Sequence, residues 1–202
     1  MARIATLLLV FYFLYVIGKA TATATITTTE PSAGSVSFLE KWCTFTSYPT
    51  VCVQSLLPYA NKIHGSPQQM ALVALSVSLS WTKSAERYVL KLKQLKDLKP
   101  KKEYQPTEDC WELMSTSVDQ IKQSVQELQH TGEAKDKDFS WHISNVQTWV
   151  SAALTDDTTC LDGFADKAFD GKVKDSIRAR VVDVAQVTSN ALALVNQFAK
   201  TH

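Results

Sequence analysis

Asp156 and Asp157 stand side by side in residues 147–164, QTWVSAALTDDTTCLDGF, among Thr155, Thr158 and Thr159 and just ahead of Cys160. Two carboxylates can divide general acid and general base duty or hold a cation, and a free thiolate is a nucleophile or a metal ligand. Adjacent residues on a helix diverge by about 100°, however, so these two acids do not converge on one ion or one substrate atom. A solvated or locally bonded helix face is the favoured reading of the pair. The four histidines, His64, His130, His142 and His202, include no pair three or four residues apart with a carboxylate, the spacing a zinc or di-iron site wants. No GxSxG, P-loop or GxGxxG motif is present. The expectation is a protein that is not an enzyme, with no catalytic residue, metal or cofactor.

The elements that carry these residues have a helical period. From Thr107, the positions Trp111, Met114, Val118, Ile121, Val125 and Leu128 advance by three and four, whereas a strand period meets Ser115, Ser117 and Asp119. Between Pro67 and Leu98 the stripe is Met70, Ala74, Val77, Trp81, Ala85, Tyr88, Leu92 and Leu95. Ser66 is its predicted cap, and Pro100 and Pro106 its stop. A third stripe runs Phe139, Ile143, Val146, Val150, Ala153, Asp157, Cys160 and Phe164, with Asp157 as the one polar interruption. The fourth starts after Asp170-Gly171 and runs Val173, Ile177, Val181, Val184, Thr188, Ala191, Val195 and Phe198. Short connections make neighbouring helices antiparallel, so the fold class is all-α, an up-down-up-down four-helix bundle over residues 66–202. Residues 35–65 hold two shorter apolar clusters, broken at SYPT and Leu57-Pro58, and are read as an N-terminal helical hairpin.

Ahead of the hairpin, Arg3 precedes an apolar run over residues 4–17 that is short for a bilayer span, and Ala20, Ala22 and Ala24 offer cleavage positions. Residues 1–24 are therefore read as a secretory signal peptide and 25–34 as an extended leader, giving a secreted, extracellular protein with no membrane span. Removing Arg3 and Lys19 from 21 basic residues leaves 19 against 20 acidic ones, a net charge of −1, and no nucleic-acid partner is expected. An exported chain holds its cysteines as disulfides. Four cysteines permit three pairings. Cys110 and Cys160 each lie about 20 residues, or ~30 Å of helix, from the turn near Thr131-Gly132, so an antiparallel pair brings them together. Cys43 and Cys52 then close the hairpin, and no thiol is left for catalysis.

Lys91, Lys93, Lys96, Lys99, Lys101 and Lys102 form a basic run at the end of the first long helix. A solvated face that complements the negative end of the helix dipole is the favoured account, and weak contact with pectin, an acidic polymer, is the functional one. The five tryptophans invite a sugar-stacking reading, but Trp81 and Trp111 fall on predicted core stripes and are assigned to packing.

Four short motifs then carry a resemblance. They are Cys43-Thr44-x-Thr46-x-Tyr48-Pro49-x-x-Cys52 followed by Ser55-Leu56, Asp109-Cys110-x-Glu112-Leu113, Trp149-Val150-Ser151-Ala152-Ala153-Leu154-Thr155 followed by Cys160-x-Asp162-x-Phe164, and Ser189-Asn190-Ala191-Leu192-Ala193-Leu194. With them the chain resembles the plant invertase and pectin methylesterase inhibitor family over nearly all of its mature length. The resemblance implies a four-helix bundle with an N-terminal hairpin, two bridges in the pairing above, and a one-to-one complex that occludes the cleft of a cell-wall enzyme. Members acting on invertase are associated with Pro-Lys-Phe; here Lys137-Asp138-Phe139 is the nearest approach, so pectin methylesterase is the expected target. Invertase inhibition and non-inhibitory pectin binding are the alternatives. Ser115 and Thr116 stand where inhibitors of pectin methylesterase often carry further acids. The partner interface is assigned to Glu112, Asp119, Thr155, Asp156 and Thr159. The same domain precedes pectin methylesterase in some chains; this sequence ends at His202, so a stand-alone inhibitor is expected.

Overall fold

A computed structural model describes residues 31–98, 101–131 and 138–201. The apolar run of residues 4–17, its cleavage positions, Lys99, Pro100 and Lys137 lie outside the described residues. What is described is helical: α1 (Ala33–Cys43), α2 (Pro49–Leu56), α3 (Ala60–Ile63), α4 (Pro67–Lys93), α5 (Tyr104–His130), α6 (Phe139–Asp162) and α7 (Lys172–Ala199), with single 3-10 turns at Leu57–Tyr59 and Lys167–Phe169. The first helix begins at Ala33 because the Ser32 side chain accepts the Ser35 backbone N–H at 3.2 Å, satisfying a donor the helix itself leaves orphaned.

Local chemistry fixes the ends of the long helices as well. Ser66 caps α4 by accepting the Gln69 N–H at 3.3 Å, with Pro67 at the first helical position, where its missing N–H costs nothing. The turn before it places His64 and Gly65 at φ of 48° and 68°, a left-handed pair that reverses the chain. At the other end, α4 stops at Lys93 and not at Pro100. Pro106 lies inside the first turn of α5, as its third residue counted from Tyr104, because first-turn N–H groups have no intrahelical acceptor and a proline there removes no bond.

The four long helices close a ring in which α4 packs on α5, α5 on α6, α6 on α7 and α7 on α4. The seam between α4 and α7 therefore lies opposite the seam between α5 and α6. The apolar core has two parts. One, at the hairpin end, joins Leu39, Leu56 and Ile63 to Met70, Val146 and Leu194. The other surrounds Cys110 and Cys160 with Val89, Met114, Ile177 and Val181. Between the two clusters every long helix carries a polar residue that is fully buried: Ser78 and Thr82 on α4, Ser117 on α5, Asp157 on α6 and Thr188 on α7. A polar layer thus crosses the middle of the bundle.

Two predicted core positions are not core. Trp81 is 37% exposed and Leu95 53% exposed, while the buried line of α4 passes through Val77, Ser78, Thr82, Ala85 and Val89. The buried face takes in the residue after each of two stripe positions, Ser78 and Thr82, about 100° further round the helix, so Trp81 lies at its edge while Ala85, later on the same stripe, stays buried. Leu95 simply falls beyond the helix end. In α5 the shift is smaller: Trp111, Val118 and Val125 are half-buried, and the deepest line runs Cys110, Met114, Ser117, Ile121, Ser124 and Leu128.

Two links attach the hairpin. Cys43 and Cys52 are bridged, and Asn190 of α7, itself 3% exposed, accepts the Tyr48 N–H at 3.1 Å and donates to the Tyr48 carbonyl at 2.9 Å. One amide thereby satisfies both backbone groups of the residue that starts α2. Replacing Asn190 with alanine is expected to cost about 1–3 kcal/mol, the range for leaving partly buried partners unmatched. Hydrogen exchange should show it first as lost protection in α2, ahead of α5 and α6.

Candidate functional site

All four cysteines are in disulfides, Cys43 with Cys52 and Cys110 with Cys160, so no thiol is free to react. The second bridge fixes the register of α5 against α6, and Ser117, whose Oγ lies 3.0 Å from the Ala153 carbonyl, repeats that register two turns further on. Glu112 is consequently level with Thr158, one residue from Thr159, and Thr116 with Leu154, one residue from Thr155.

The two adjacent aspartates part company, as a 100° separation requires. Asp157 is not on a solvated face: it is 0% exposed in the polar layer, where it points between α5 and α7. Ser117 Oγ stands 3.1 Å from its Oδ1, the Thr188 hydroxyl lies near, and Oδ2 has no hydrogen-bond partner among the described residues. Burial is the main cause that pushes the Asp157 carboxyl up to about 7, the hydroxyls of Ser117 and Thr188 pull it back, and the neighbouring charge of Asp156 adds to the rise. Ser117 has one hydroxyl proton and directs it to two acceptors, the Ala153 carbonyl and Asp157 Oδ1, so the help it gives an ionised Asp157 is divided. Asp156 is half-buried, one of its oxygens has no partner among the described residues, and burial raises its pKa as well.

Four of the five assigned interface residues, Glu112, Asp119, Thr155 and Thr159, are exposed. Their hydrogen bonds give the surface its character. Thr155 donates to Ser151 O at 3.0 Å, Thr158 and Thr159 both donate to Thr155 O at 2.9 and 2.8 Å, and Thr116 donates to Glu112 O at 3.1 Å. With every hydroxyl proton turned back into its own helix, these threonines offer a partner only lone pairs and methyl groups. Glu112 and Asp119, seven residues apart and so about 10 Å along α5, offer carboxylates. They rim a shallow depression of about 430 Å³ whose floor includes Trp111, Ser115 and Thr116. The face accepts hydrogen bonds and donates few, a composition suited to a partner rich in arginine and lysine.

The basic run is not uniform. Lys93 pairs with Glu108 at 3.0 Å and stands 3.9 Å from the Trp111 ring centre, whose indole N–H donates to Glu86 at 3.2 Å. It ties α4 to α5 and is unavailable to a polyanion. Lys91, Lys96, Lys101 and Lys102 are exposed. Trp111 does pack against the core around the Cys110–Cys160 bridge, whereas Trp81 opens onto a cleft between α4 and α7.

Sequence reasoning missed the partners of Asp157. A signal existed: Thr188 sits on the α7 stripe, and Ser117 lies between Met114 and Ile121 at core spacing, so three facing helices each carry a polar residue where an apolar one belongs. Among the described residues no cluster of histidine, cysteine and carboxylate could hold a metal ion.

Comparison with known proteins places this geometry. Residues 37–194 match the family model described as plant invertase/pectin methylesterase inhibitor. A 21 kDa protein of Daucus carota is 50% identical over 171 residues, covering 85% of this chain and 88% of that one. Pectinesterase inhibitor 9 of Arabidopsis thaliana is 48% identical over 93% of both chains, and pectinesterase inhibitor 11 of the same plant 43% identical over 96% of this chain and 98% of its own. A disulfide-stapled bundle with an N-terminal hairpin, matched over most of its length, belongs to the plant invertase/pectin methylesterase inhibitor family.

Proposed function

We propose that this chain is a secreted inhibitor of pectin methylesterase that acts in the cell wall by laying the α5/α6 face across the enzyme's substrate cleft in a one-to-one complex. The observation that carries the reading is the acceptor-only strip of Glu112, Asp119, Thr155 and Thr159, held rigid by the adjacent Cys110–Cys160 bridge in a chain whose relatives are named as pectinesterase inhibitors. Asp156 borders that strip and, being half-buried, contributes through its threonine neighbours more than by direct contact. Titration of purified protein against a panel of plant pectin methylesterases, from acidic to neutral pH, tests the proposal. Stoichiometric loss of activity supports it, and a panel that is uniformly unaffected while an invertase is inhibited replaces it.

The interface assignment makes its own prediction. Reversing both charges, Glu112→Lys with Asp119→Lys, should weaken inhibition by at least about tenfold, equivalent to about 1.4 kcal/mol, chiefly by slowing association. Both residues are exposed, so unfolding midpoints should stay within about 0.5 kcal/mol of the parent. An unchanged inhibition constant would move the interface elsewhere on the bundle. A second element of the proposal is weak attraction of acidic wall polysaccharide to Lys91, Lys96, Lys99, Lys101 and Lys102, with Lys93 withheld by its ion pair.

A further inference from the structure

On the side of the bundle opposite the α5/α6 face, α4 and α7 part to leave a cleft of about 290 Å³. Its wall is the half-exposed Trp81, and its rim carries Ser80 and Ser84 from α4 and Arg180 and Asp183 from α7. Arg180 lies over the Tyr88 ring, 4.0 Å from its centre, which holds the guanidinium at the lower edge of the cleft; among the described residues it has no ion pair. Arg87 and Lys91, both exposed, continue the same helical side at three and seven residues from Ser84.

We propose that this cleft is a binding site for an acidic sugar, a uronate unit of an oligosaccharide. The chemistry of the cleft matches three features of such a unit: its ring face, its hydroxyls and its carboxylate. A pyranose ring has an apolar face that packs on an aromatic side chain, here the exposed side of Trp81. Its hydroxyls are donors and acceptors together, matched by the Ser80 and Ser84 hydroxyls and by the Asp183 carboxylate, which accepts. The carboxylate of a uronate pairs with a guanidinium, and Arg180 is held and unpaired beside the ring position. Successive charged units would then follow Arg87 and Lys91 out of the cleft. A neutral sugar leaves Arg180 unmatched, and a bare anion leaves Trp81 without a partner. Exposure of Trp81 is itself informative: α4 could bury a large apolar ring at that position only by rotating Ser78 and Thr82 out of the polar layer. The site is independent of the inhibitory face, so a wall enzyme and a saccharide can be held at once.

The test uses the full mature chain labelled with nitrogen-15 and titrated with short oligogalacturonate, with the carboxyl-reduced form of the same oligomer as the neutral probe. The Trp81 indole signal, assigned by its loss in Trp81→Phe, should move and saturate. Arg180→Gln and Trp81→Ala should each weaken binding by at least about tenfold, the carboxyl-reduced oligomer should bind weaker by a similar factor, and Lys96→Gln/Lys101→Gln/Lys102→Gln should keep the Trp81 shift. Retained inhibition of pectin methylesterase in the two cleft variants reports that they are folded. An indole signal that stays fixed at saturating oligomer, equal binding by both variants, or equal binding of the neutral oligomer would each overturn the proposal. None of these outcomes bears on whether the α5/α6 face inhibits an enzyme.

Discussion

Between about pH 4 and pH 7 the unfolding free energy of this protein is expected to fall by about 3 kcal/mol, and replacement of Asp157 by asparagine should remove most of that fall. The sign follows from which state holds the proton. Asp157 rises from an ordinary carboxyl value of 3.8 to about 7 on folding, so between those values the native bundle keeps a proton that the unfolded chain has released. The stabilisation is complete below the unfolded value and is lost as the pH climbs through the folded one, at about 1.4 kcal/mol per unit. The groups facing the carboxyl are Ser117 from α5, Thr188 from α7, hydrogen-bonded in turn to Ser78 of α4 at 2.9 Å, and the carboxyl of Asp156 beside it on α6. None supplies a positive charge that would favour ionisation. Glu127 works in the opposite sense and in a lower window. Burial raises its pKa, but hydrogen bonds from Asn145 and His142 and the nearby imidazoles lower it further, so its contribution is lost only as pH drops through its own depressed value. Together the two groups place the stability maximum in mildly acidic solution.

Asparagine is the right probe because it cannot ionise yet keeps a carbonyl oxygen to accept from the Ser117 hydroxyl, as Asp157 Oδ1 does. Its amide nitrogen takes the place of Asp157 Oδ2, which has no partner among the described residues, so Asp157→Asn should be about 1–3 kcal/mol less stable than the parent at acid pH and equal or more stable above pH 7. Urea midpoints at three pH values in the window decide the matter. A parent curve that is flat or rising there, or an asparagine variant with the parent slope, would mean that Asp157 is ionised in the native state and paired with something other than these hydroxyls.

The helices and the pairing of cysteines were legible because each rests on one local rule, period or reach, that no long-range contact overrides. The α7 stripe is the plainest case: seven of its eight predicted positions are buried, and Val173, beside the helix start, is half-buried. The same rule failed at Trp81 because a hydrophobic stripe passes over polar residues, and on α4 the buried face extends to Ser78 and Thr82. Asp157 shows another limit. Its place on the α6 stripe was readable, but the reading as a solvated or local pair ignored the facing helices, and only their register brings Ser117 and Thr188 to it. Asn190 was quoted within a motif without a role, since a clamp across 142 residues of sequence leaves no local trace. The exposed face was located by period, yet its acceptor character was not, because the direction of each threonine hydroxyl depends on the carbonyl one turn back.

Removing the Cys110–Cys160 bridge, as Cys110→Ala with Cys160→Ala, should destabilise the protein by about 4 kcal/mol, and removing Cys43–Cys52 in the same way by about 3. The order follows from the loops closed: the bridges span 50 and 9 residues of sequence, and a longer closed loop takes more freedom from the unfolded chain. Against a typical net stability of 5–15 kcal/mol either loss is large. The two should also differ in kind. Cys43 and Cys52 hold α1 to α2, a segment that Asn190 still clamps to α7, so their loss should loosen the hairpin while α4 to α7 unfold near the parent midpoint. Cys110 and Cys160 lie at 0% and 1% exposure in the lower core with Met114, Ile177 and Val181, so their loss opens the α5/α6 seam itself. Glu112 and Thr159 flank those cysteines, and an inhibitor that depends on their fixed spacing should lose affinity at temperatures where it is still folded. Calorimetry and enzyme titration on both double variants separate these effects. Equal losses of inhibition from the two, or a larger thermal cost at the hairpin, would show that the bridge beside the acceptor strip serves stability alone and that the strip needs no rigid backing.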